Sequence, residues 1–311
     1  MNEVRVSQNQ IIGVSIESLI NRFIQAQDVA QSSRQIYRRE LKQFIDWLES
    51  TDRIDKLNSI SREDILQYKR DLIQSQKSSY TVSSYITVVR KFFKWLESEK
   101  IYPNITQNIK GMKKPKGHKK DCLTTNQVRE ALESINTDDL NGKRDYAIFN
   151  LLVRTGLRTI EVARAKVGDI RQKSDQAVLY IQGKGRTEKD DFVILTPEAL
   201  KPIRDYLTLR ANTIDEKESL FISHSNRNYG KSLTTRSIRR IIKVILKNIG
   251  LNTKRYSAHS LRHTAITLAI KGGASLQQTQ AMARHSDPKT TMIYYHNLNR
   301  VEEGAEKRIK I

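Results

Sequence analysis

The side chains best suited to chemistry are Arg and His residues in two short motifs. In TGLRTIE, over residues 155–161, Arg158 stands at the predicted start of a helix, where backbone N–H groups also attract an anion. In HSLRH, over residues 259–263, His259 and Arg262 are three residues apart and share one face of a helix start. The second motif therefore combines an acid/base group with an anion clamp.

A third motif, ARHSDP over residues 283–288, precedes a pair of tyrosines. Tyr294 lies nine residues after His285, and Tyr295 is its neighbour. The sequence has no DxD-type carboxylate cluster for two metal ions, so protein cations would have to stabilise a reacting phosphodiester. Arginine suits that task because its planar fork donates two parallel hydrogen bonds to phosphate oxygens. With a nucleophile and a proton donor, these residue types can support metal-free phosphodiester cleavage.

The composition predicts a basic, folded protein of two domains. The chain has 311 residues, and domains typically have about 100–200. Its content of 38% hydrophobic and 29% charged residues argues against long disordered regions. The 55 Lys and Arg outnumber the 34 Asp and Glu, which gives a net charge of +21. This excess predicts a polyanionic partner, most simply nucleic acid, with a merely soluble basic surface as the alternative.

Other protein classes are excluded by what the sequence lacks. No apolar run approaches the roughly 18 residues that span a bilayer, and no apolar segment follows Met1. Cys122 is the single cysteine, so an internal disulfide is impossible, and no Cys/His cluster has zinc spacing. We therefore expect a cytoplasmic protein.

Apolar periodicity predicts four helices in the N-terminal part of the chain. The first two cover residues 16–24 and 36–48, and the fourth runs over about 81–99. The third opens at Ser61, where the sequence SRED is typical of a capped helix start, and continues through Ile73.

The second and fourth of these helices share a sequence pattern in which Trp47 corresponds to Trp95. At helical spacing, the two tryptophans are predicted to be core residues rather than platforms for base stacking. The basic residues on the remaining faces are the better candidates for phosphate contact: Arg38, Arg39, Lys42, Arg90, Lys91 and Lys94.

Residues 113–120 (KKPKGHKK) contain five Lys, one Pro, one Gly and no acidic residue. This composition predicts an extended linker between domains. Its lysines could lie along a phosphate backbone as two domains close around a duplex, or the segment could be a solvated tether. The candidates for DNA contact here are Lys113, Lys114, Lys119 and Lys120.

After the linker, helices are predicted around one β element. Two strands, over 178–182 and 191–195, flank the polar turn 183–190. A helix is expected to start at Pro288, with Asp287 as its cap. The other expected helices start near Gln127 and Pro197 or cover 145–153, 234–249 and 259–270.

The ordered motifs TGLR, a GKG turn, HxLRH, an HSD turn and a tyrosine nine residues on resemble those of the tyrosine recombinases, also called phage-integrase-type recombinases. Residues 15–110 also resemble the helical core-binding domain of that family. The resemblance implies a mainly α fold. An N-terminal four-helix, SAM-like core-binding domain (14–112) would be joined by the linker to an α+β catalytic domain (121–311) with a small antiparallel hairpin or sheet.

The resemblance also implies how the phosphate is held. Arg158 and Arg262 would clamp the scissile phosphate, and His285 would hydrogen-bond a phosphate oxygen or the nucleophile. Glu161 would orient the guanidinium of Arg158. The family usually has glycine before this histidine, whereas this chain has Arg284.

The other implied residues carry out the transfer itself. Tyr294 would attack phosphorus, leaving a 3′-phosphotyrosyl bond and a free 5′ hydroxyl. Lys184 in the turn would protonate the leaving oxygen, with Lys189 and Arg186 as alternatives, and His259 would assist proton transfer. The bond energy is retained, so no ATP, metal or cofactor is implied.

The choice between the two adjacent tyrosines rests on counting along the sequence. The nine-residue offset favours Tyr294 as the nucleophile, which leaves Tyr295 as a packing residue because adjacent helical positions differ by about 100°. His263 and His296 are predicted to be structural.

Three functions are compatible with these residues. The favoured one is site-specific recombination of duplex DNA, for integration or excision of a mobile element or for resolution of DNA. The alternatives are a type IB topoisomerase and a catalytically silent DNA-binding regulator. A separate helical domain argues against the first alternative, and retention of every catalytic residue type argues against the second.

The resemblance finally implies an assembly. Four protomers would exchange C-terminal segments in a ring on two DNA sites, and free protein would be a monomer or weak oligomer. Residues 297–311 form a short amphipathic pattern that would dock on a neighbouring subunit, or alternatively on its own domain. Only about 14 residues precede the first predicted helix, so the layout resembles that of Xer-like recombinases without an arm-binding domain.

Overall fold

The described part of the chain comprises residues 16–53, 60–113, 115, 120–183, 185–211, 214–302 and 304–309 of a computed structural model. The chain divides into two compact units, Met1–Lys116 and Gly117–Ile311. The division falls within the segment 113–120. Of that segment only residues 113, 115 and 120 are described, and its role as a linker stays a prediction.

In the N-terminal unit, the described residues form four α-helices. They are α1 (Ile16–Ala26), α2 (Gln31–Ser50), α3 (Arg62–Gln74) and α4 (Ser79–Ser98). Helix α3 starts where the sequence predicts it: the Ser61 hydroxyl accepts from the Asp64 N–H, and the Asp64 carboxylate accepts from the Ser61 N–H. This reciprocal cap satisfies two backbone donors that the first turn of a helix leaves unpaired.

The core of this unit is aromatic and includes both tryptophans. Trp47 and Trp95 are each 9% exposed, so their prediction as core residues is confirmed. The Trp47 indole N–H donates to the Asp71 carboxylate at 2.8 Å, and Trp95 stacks on Phe92 with 6.2 Å between ring centroids. Burying such rings, with the one polar atom hydrogen-bonded, stabilises the four helices against each other.

In the described residues, the C-terminal unit has eight α-helices, twice as many as the N-terminal unit. Its described residues form α5 (Thr125–Glu133), α6 (Leu140–Thr155), α7 (Thr159–Arg164), α8 (Pro197–Arg210), α9 (Thr235–Asn248), α10 (Ala258–Lys271), α11 (Leu276–Ala283) and α12 (Pro288–Glu302). Thr124 caps α5, and the predicted start of α12 at Pro288 is confirmed. In α6 the run 147–153 is buried throughout and is apolar on every face except at Asn150.

Three strands in the described residues form one antiparallel sheet in the order β1-β2-β3. They are β1 (Ile170–Lys173), β2 (Gln176–Ile181) and β3 (Asp191–Ile194). The two predicted strands correspond to β2 and β3, with Leu179 opposite Val193. The sequence did not predict β1, because three of its four residues are exposed and polar and give no apolar alternation. The predicted fold class, mainly helical with a small antiparallel sheet, is confirmed.

The described part of the C-terminal segment is not one continuous helix, and the docking of its amphipathic pattern stays a prediction. Helix α12 continues to Glu302, and residues 305–308 form a separate 3₁₀ turn. A single helix over 297–311 is therefore not formed, and residues 303, 310 and 311 lie outside the described residues. No helix in the described part of the chain is long and apolar enough to cross a membrane.

Candidate active site

Arg158 is positioned by the turn between α6 and α7. Gly156 ends α6 with φ +64°, a left-handed conformation that glycine adopts without steric cost. Two residues on, Arg158 precedes α7, and its backbone N–H donates to the Glu161 carboxylate at 2.7 Å. The other Glu161 oxygen accepts from the Arg158 guanidinium at 3.0 Å. The fully buried Glu161 side chain thus holds both the backbone and the side chain of Arg158.

Arg262, on α10, is buried and tied to two backbone carbonyls. Its Nη1 donates to the Gly156 carbonyl at 2.6 Å, and its Nη2 donates to the Ala283 carbonyl. Burial lowers the pKa of the Arg262 guanidinium to about 10, with Arg158 and Arg284 adding to the effect. A group with that pKa stays positively charged at neutral pH. The structure therefore places a fixed cation where α6, α10 and α11 meet.

The Tyr294 side chain, on α12, packs against this cation. It is 7% exposed and lies in a small apolar cluster with Ile266, Ile270 and Ala283. Burial raises the pKa of the Tyr294 hydroxyl to about 12, although the nearby Arg262 acts in the opposite direction. The adjacent Tyr295 points elsewhere, since its hydroxyl donates to the Ala274 carbonyl. Of the two tyrosines, the structure brings Tyr294 to the arginines, as the sequence count favours.

Three histidines surround Tyr294. The His263 Nδ1 lies 2.5 Å from the Tyr294 hydroxyl oxygen, and the ring of His259 meets that of His263 edge-on at 4.5 Å between centroids. The His285 ring stacks on the Tyr294 ring at 6.3 Å, and its Nδ1 lies 2.9 Å from the Thr291 hydroxyl. His259 and His285 are thus in the site that the sequence assigned to them.

His263 was predicted to be structural, but the structure places it in the site. The available signal was its spacing: His263 is one turn after His259 and shares its helix face. His296, the other histidine given a structural role, is exposed on α12.

Arg284 is a third arginine of the site, and the sequence did not assign it a role. It ends α11 with φ +53° and ψ 48°, the left-handed conformation that explains why glycine is usual at this position. Its side chain is 7% exposed and donates to the Glu161 carboxylate at 3.0 Å and to the Met282 carbonyl at 2.6 Å. Glu161 is therefore shared by Arg158 and Arg284. The signal that could have found Arg284 was its departure from glycine.

Comparison with known proteins assigns this site to a family. Residues 121–300 match the phage integrase family, and residues 16–100 match the N-terminal SAM-like domain of phage integrases. The chain belongs to the phage integrase family. The resemblance to tyrosine recombinases noted in the sequence is thereby confirmed.

Individual relatives cover nearly the whole chain. A tyrosine recombinase XerD of Staphylococcus epidermidis is 30% identical over 287 residues, which is 90% of this chain and 93% of that protein. A tyrosine recombinase XerD of Listeria monocytogenes is 28% identical over 286 residues, with the same coverage.

Solved structures of the family share the fold. The XerH site-specific recombinase bound to a palindromic difH substrate has a TM-score of 0.73 at 22% identity, covering 93% of this chain and 83% of that one. The integrase of transposon Tn1549, in complex with transposon right end DNA, has a TM-score of 0.71 at 16% identity, covering 94% and 99%. At these identities the likeness concerns the fold.

Lys184, the remaining residue that the family motifs indicate, lies outside the described residues. Its two alternatives are both engaged with carboxylates. The Lys189 ammonium pairs with the Asp169 carboxylate, and the Arg186 guanidinium pairs with the Asp190 carboxylate at 2.7 Å. The neighbouring Gly185 has φ +80°, as a tight turn requires. Lys184 stays a prediction, with Lys189 and Arg186 as its alternatives.

The predicted DNA contacts of the N-terminal unit are on its surface. All six basic side chains on α2 and α4 are exposed: Arg38, Arg39, Lys42, Arg90, Lys91 and Lys94. Lys42 pairs with Asp46 at 2.8 Å, and Lys91 donates to the Tyr37 hydroxyl at 2.9 Å. Exposed pairs of this kind are weak and exchange readily for a phosphate.

The linker lysines are described only in part. Lys113 is exposed, Lys120 donates to the Lys254 carbonyl, and Lys114 and Lys119 lie outside the described residues.

Helix α9 adds a basic surface that was not among the predicted DNA contacts. Its buried face consists of Ile238, Ile242, Ile245 and Leu246. Its exposed face carries Arg236, Arg239, Arg240 and Lys247. The helix was predicted, and the signal that could have separated its two faces was the recurrence of Ile238, Ile242 and Ile245 at three- and four-residue steps. In the described part of the chain, no group of three or more His, Cys, Asp or Glu could hold a metal ion.

Proposed function

We propose that the protein is a site-specific DNA recombinase that cuts and rejoins duplex DNA through a 3′-phosphotyrosyl linkage. The observation that carries this proposal is the placement of the Tyr294 hydroxyl among histidines and beside the buried, doubly anchored Arg262. A phosphodiester in this site would meet fixed cations and a nucleophile together.

Arg158 and Arg262 hold the scissile phosphate in this proposal. A guanidinium has five N–H donors, and the carbonyls of Gly156 and Ala283 engage both terminal nitrogens of Arg262 without using all of their hydrogens. These bonds fix the orientation of the fork before DNA binds. A preorganised cation stabilises the charge that develops on phosphorus without a cost of rearrangement during the reaction.

The transfer exchanges one phosphoester bond for another. The Tyr294 oxygen bonds to phosphorus as the bond from phosphorus to the 5′ oxygen breaks, and the leaving oxygen takes a proton from the Lys184 ammonium. His285 donates to a phosphate oxygen, and His259 assists proton transfer. Rejoining is the reverse reaction, in which the free 5′ hydroxyl attacks the phosphotyrosine, so no external energy source is needed.

DNA is held by exposed cations on both units. The basic faces of α2 and α4, the linker lysines and the basic face of α9 supply phosphate contacts that position the duplex. The protein is expected to clamp its recombination site between the two domains, 14–112 and 121–311, and to act as a tetramer on two such sites. The segment after Tyr294 would couple subunits, because it follows the nucleophile directly on α12.

The test is covalent capture on a nicked suicide substrate in EDTA. The recombination site is sought in the DNA that flanks the coding region, and the full chain is compared with Tyr294→Phe and Tyr295→Phe. We expect a protein adduct on the 3′ DNA end for the unchanged chain and for Tyr295→Phe, and none for Tyr294→Phe. Tyr295→Phe is the matched control because it removes one hydroxyl from the adjacent residue.

The possible contrary results are distinct. No adduct with any protein, or activity that needs Mg²⁺, would contradict the proposed chemistry. An adduct that survives Tyr294→Phe but not Tyr295→Phe would move the nucleophile to Tyr295. Strand exchange between two sites, measured in the same reactions, separates a recombinase from a topoisomerase, which cleaves without exchanging partners.

A further inference from the structure

A buried hydrogen bond joins His263 to the hydroxyl of Tyr294. The His263 Nδ1 lies 2.5 Å from the Tyr294 hydroxyl oxygen, and the two residues are 6% and 7% exposed. His263 follows Arg262 on α10, and the ring of Tyr294 reaches it from α12. The contact therefore joins the helix that carries the phosphate clamp to the helix that carries the nucleophile.

Phosphoryl transfer to Tyr294 requires that its hydroxyl lose a proton. Burial raises the pKa of Tyr294 to about 12, so only about one molecule in 10⁵ carries the phenolate at pH 7. A nucleophile of this kind is normally activated by a base within hydrogen-bond distance. Lys184 gives a proton to the 5′ oxygen, so the proton of the tyrosine needs a separate acceptor.

The geometry supplies an acceptor. His285 engages its Nδ1 with the Thr291 hydroxyl at 2.9 Å and presents its ring face to Tyr294. The His259 ring meets His263 edge-on and is exposed. The His263 Nδ1 is in direct hydrogen-bond contact with the reacting oxygen itself.

We propose that His263 is a catalytic residue that accepts the proton of the Tyr294 hydroxyl during cleavage and returns it during rejoining. The inference rests on the proposed function. In cleavage the O–H bond of Tyr294 breaks, its proton passes to His263 Nδ1, and its electron pair forms the new bond to phosphorus. The 5′ oxygen leaves with a proton from Lys184. In rejoining His263 protonates the departing tyrosine oxygen, so the histidine is regenerated.

The charges around His263 are compatible with this cycle. The imidazolium that forms is balanced by the additional negative charge of the transition state, which the arginines also stabilise. His263 lies between His259, on its own helix, and Tyr294. Among the described residues, the titratable and charged groups near the His263–Tyr294 pair include His259 and Arg262 on α10, His285 before α12, and Cys122 on the segment leading to α5.

The test is the pH profile of single-turnover cleavage on the suicide substrate, measured with His263→Asn. Asparagine keeps a polar contact with the hydroxyl but cannot take up a proton. We expect the unchanged chain to accelerate with pH through the range of a histidine and then to reach a plateau. His263→Asn should be about 10²–10³-fold slower at pH 7 and should accelerate tenfold per pH unit without a plateau up to pH 10.

Two further variants keep the test decisive. His296→Asn makes the same substitution at the exposed histidine of α12 and should retain the rate and profile of the unchanged chain. His263→Ala, which leaves space at Nδ1, should recover part of its cleavage rate when imidazole is added. Binding of a single site, measured by gel shift, shows that each variant is folded.

The outcomes separate this inference from the function on which it rests. If the unchanged chain forms no adduct at any pH, the proposed function is overturned. If the unchanged chain forms the adduct and His263→Asn keeps the plateau, His263 only positions Tyr294, and the inference is overturned while the function stands. Imidazole that fails to raise the rate of folded His263→Ala has the same meaning.

Discussion

The cations of the N-terminal unit and those around Tyr294 are held in different ways. On α2 and α4, side chains such as Arg90 and Lys94 are exposed on the surface of a helix. Around Tyr294, Arg262 and Arg284 are buried and bound to backbone carbonyls, and Arg284 also pairs with Glu161. A mobile exposed cation can follow a phosphate backbone, whereas a buried and anchored cation defines one position in space. The first arrangement suits binding of DNA, and the second suits chemistry on a single phosphate.

The largest effect is expected at Arg262. Arg262→Lys keeps a positive charge but loses the fork that spans the carbonyls of Gly156 and Ala283. Cleavage of the suicide substrate should fall by about 10³-fold or more, as for other preorganised groups that stabilise a transition state, or about 4 kcal/mol of activation free energy. Affinity for a single site, measured in the same buffer, should change by less than about threefold. Equal losses of cleavage and affinity would contradict the proposed difference between buried, anchored cations and exposed ones.

A moderate effect is expected at Arg284. Arg284→Gly removes one partner of the buried Glu161 carboxylate, which keeps its bonds to Arg158, and it also relieves a left-handed backbone conformation. Breaking a buried pair costs about 3–5 kcal/mol when one charge is left alone, so with Arg158 present we expect a smaller loss of about 1–2 kcal/mol. The free energy of unfolding is measured in urea.

The matched variant for this site is Arg284→Ala. It loses the same ion pair but keeps the φ of +53° that a side chain adopts with strain. Arg284→Ala should therefore be less stable than Arg284→Gly by about 1 kcal/mol. Cleavage by both variants should fall about tenfold, because Arg158 loses part of its support through Glu161. An unchanged cleavage rate in two folded variants would show that Arg158 is oriented without Arg284.

The smallest effect is expected from the exposed cations of the N-terminal unit. Arg90→Ala combined with Lys94→Ala should weaken binding by a few-fold across different DNA sequences. The slope of log affinity against log salt should fall by about 0.9 for each phosphate contact that is removed. Cleavage at saturating protein should be unchanged. The control is Arg70→Ala on α3, a helix that carries none of the proposed phosphate contacts, and this variant should leave the salt slope as it is. A cleavage defect at saturation would contradict the proposed division of roles.

Local signals in the sequence predicted most of the helices. Ser61 caps α3, Pro288 opens α12, and the helix that carries Arg262 lies where the apolar pattern places it. Each of these features depends on residues within one or two turns of each other. The proposed catalytic residues Arg158 and Tyr294 could also be selected from short motifs, because these motifs resemble those of the tyrosine recombinases.

The contacts that complete the site could not be predicted in this way. The pairing of Arg284 with Glu161 joins residues 123 positions apart, and the bond between His263 and Tyr294 joins residues 31 positions apart. No local pattern encodes such contacts, since they exist only when α7, α10, α11 and α12 pack together. Strand β1 was missed for a different reason: its residues are stabilised by backbone pairing with β2 rather than by buried side chains.

The anchoring of Arg262 to backbone carbonyls also affects which substitutions are tolerated at the two positions that supply those carbonyls. Every residue type has a carbonyl, so a mutation at position 283 does not by itself remove the acceptor that Ala283 provides. At position 156 the acceptor is equally independent of the side chain, but the φ of +64° favours glycine, because other residues adopt it with strain. The two positions therefore differ in the substitutions they tolerate. Small residues should be accepted at position 283, whereas a residue other than glycine at position 156 should carry backbone strain.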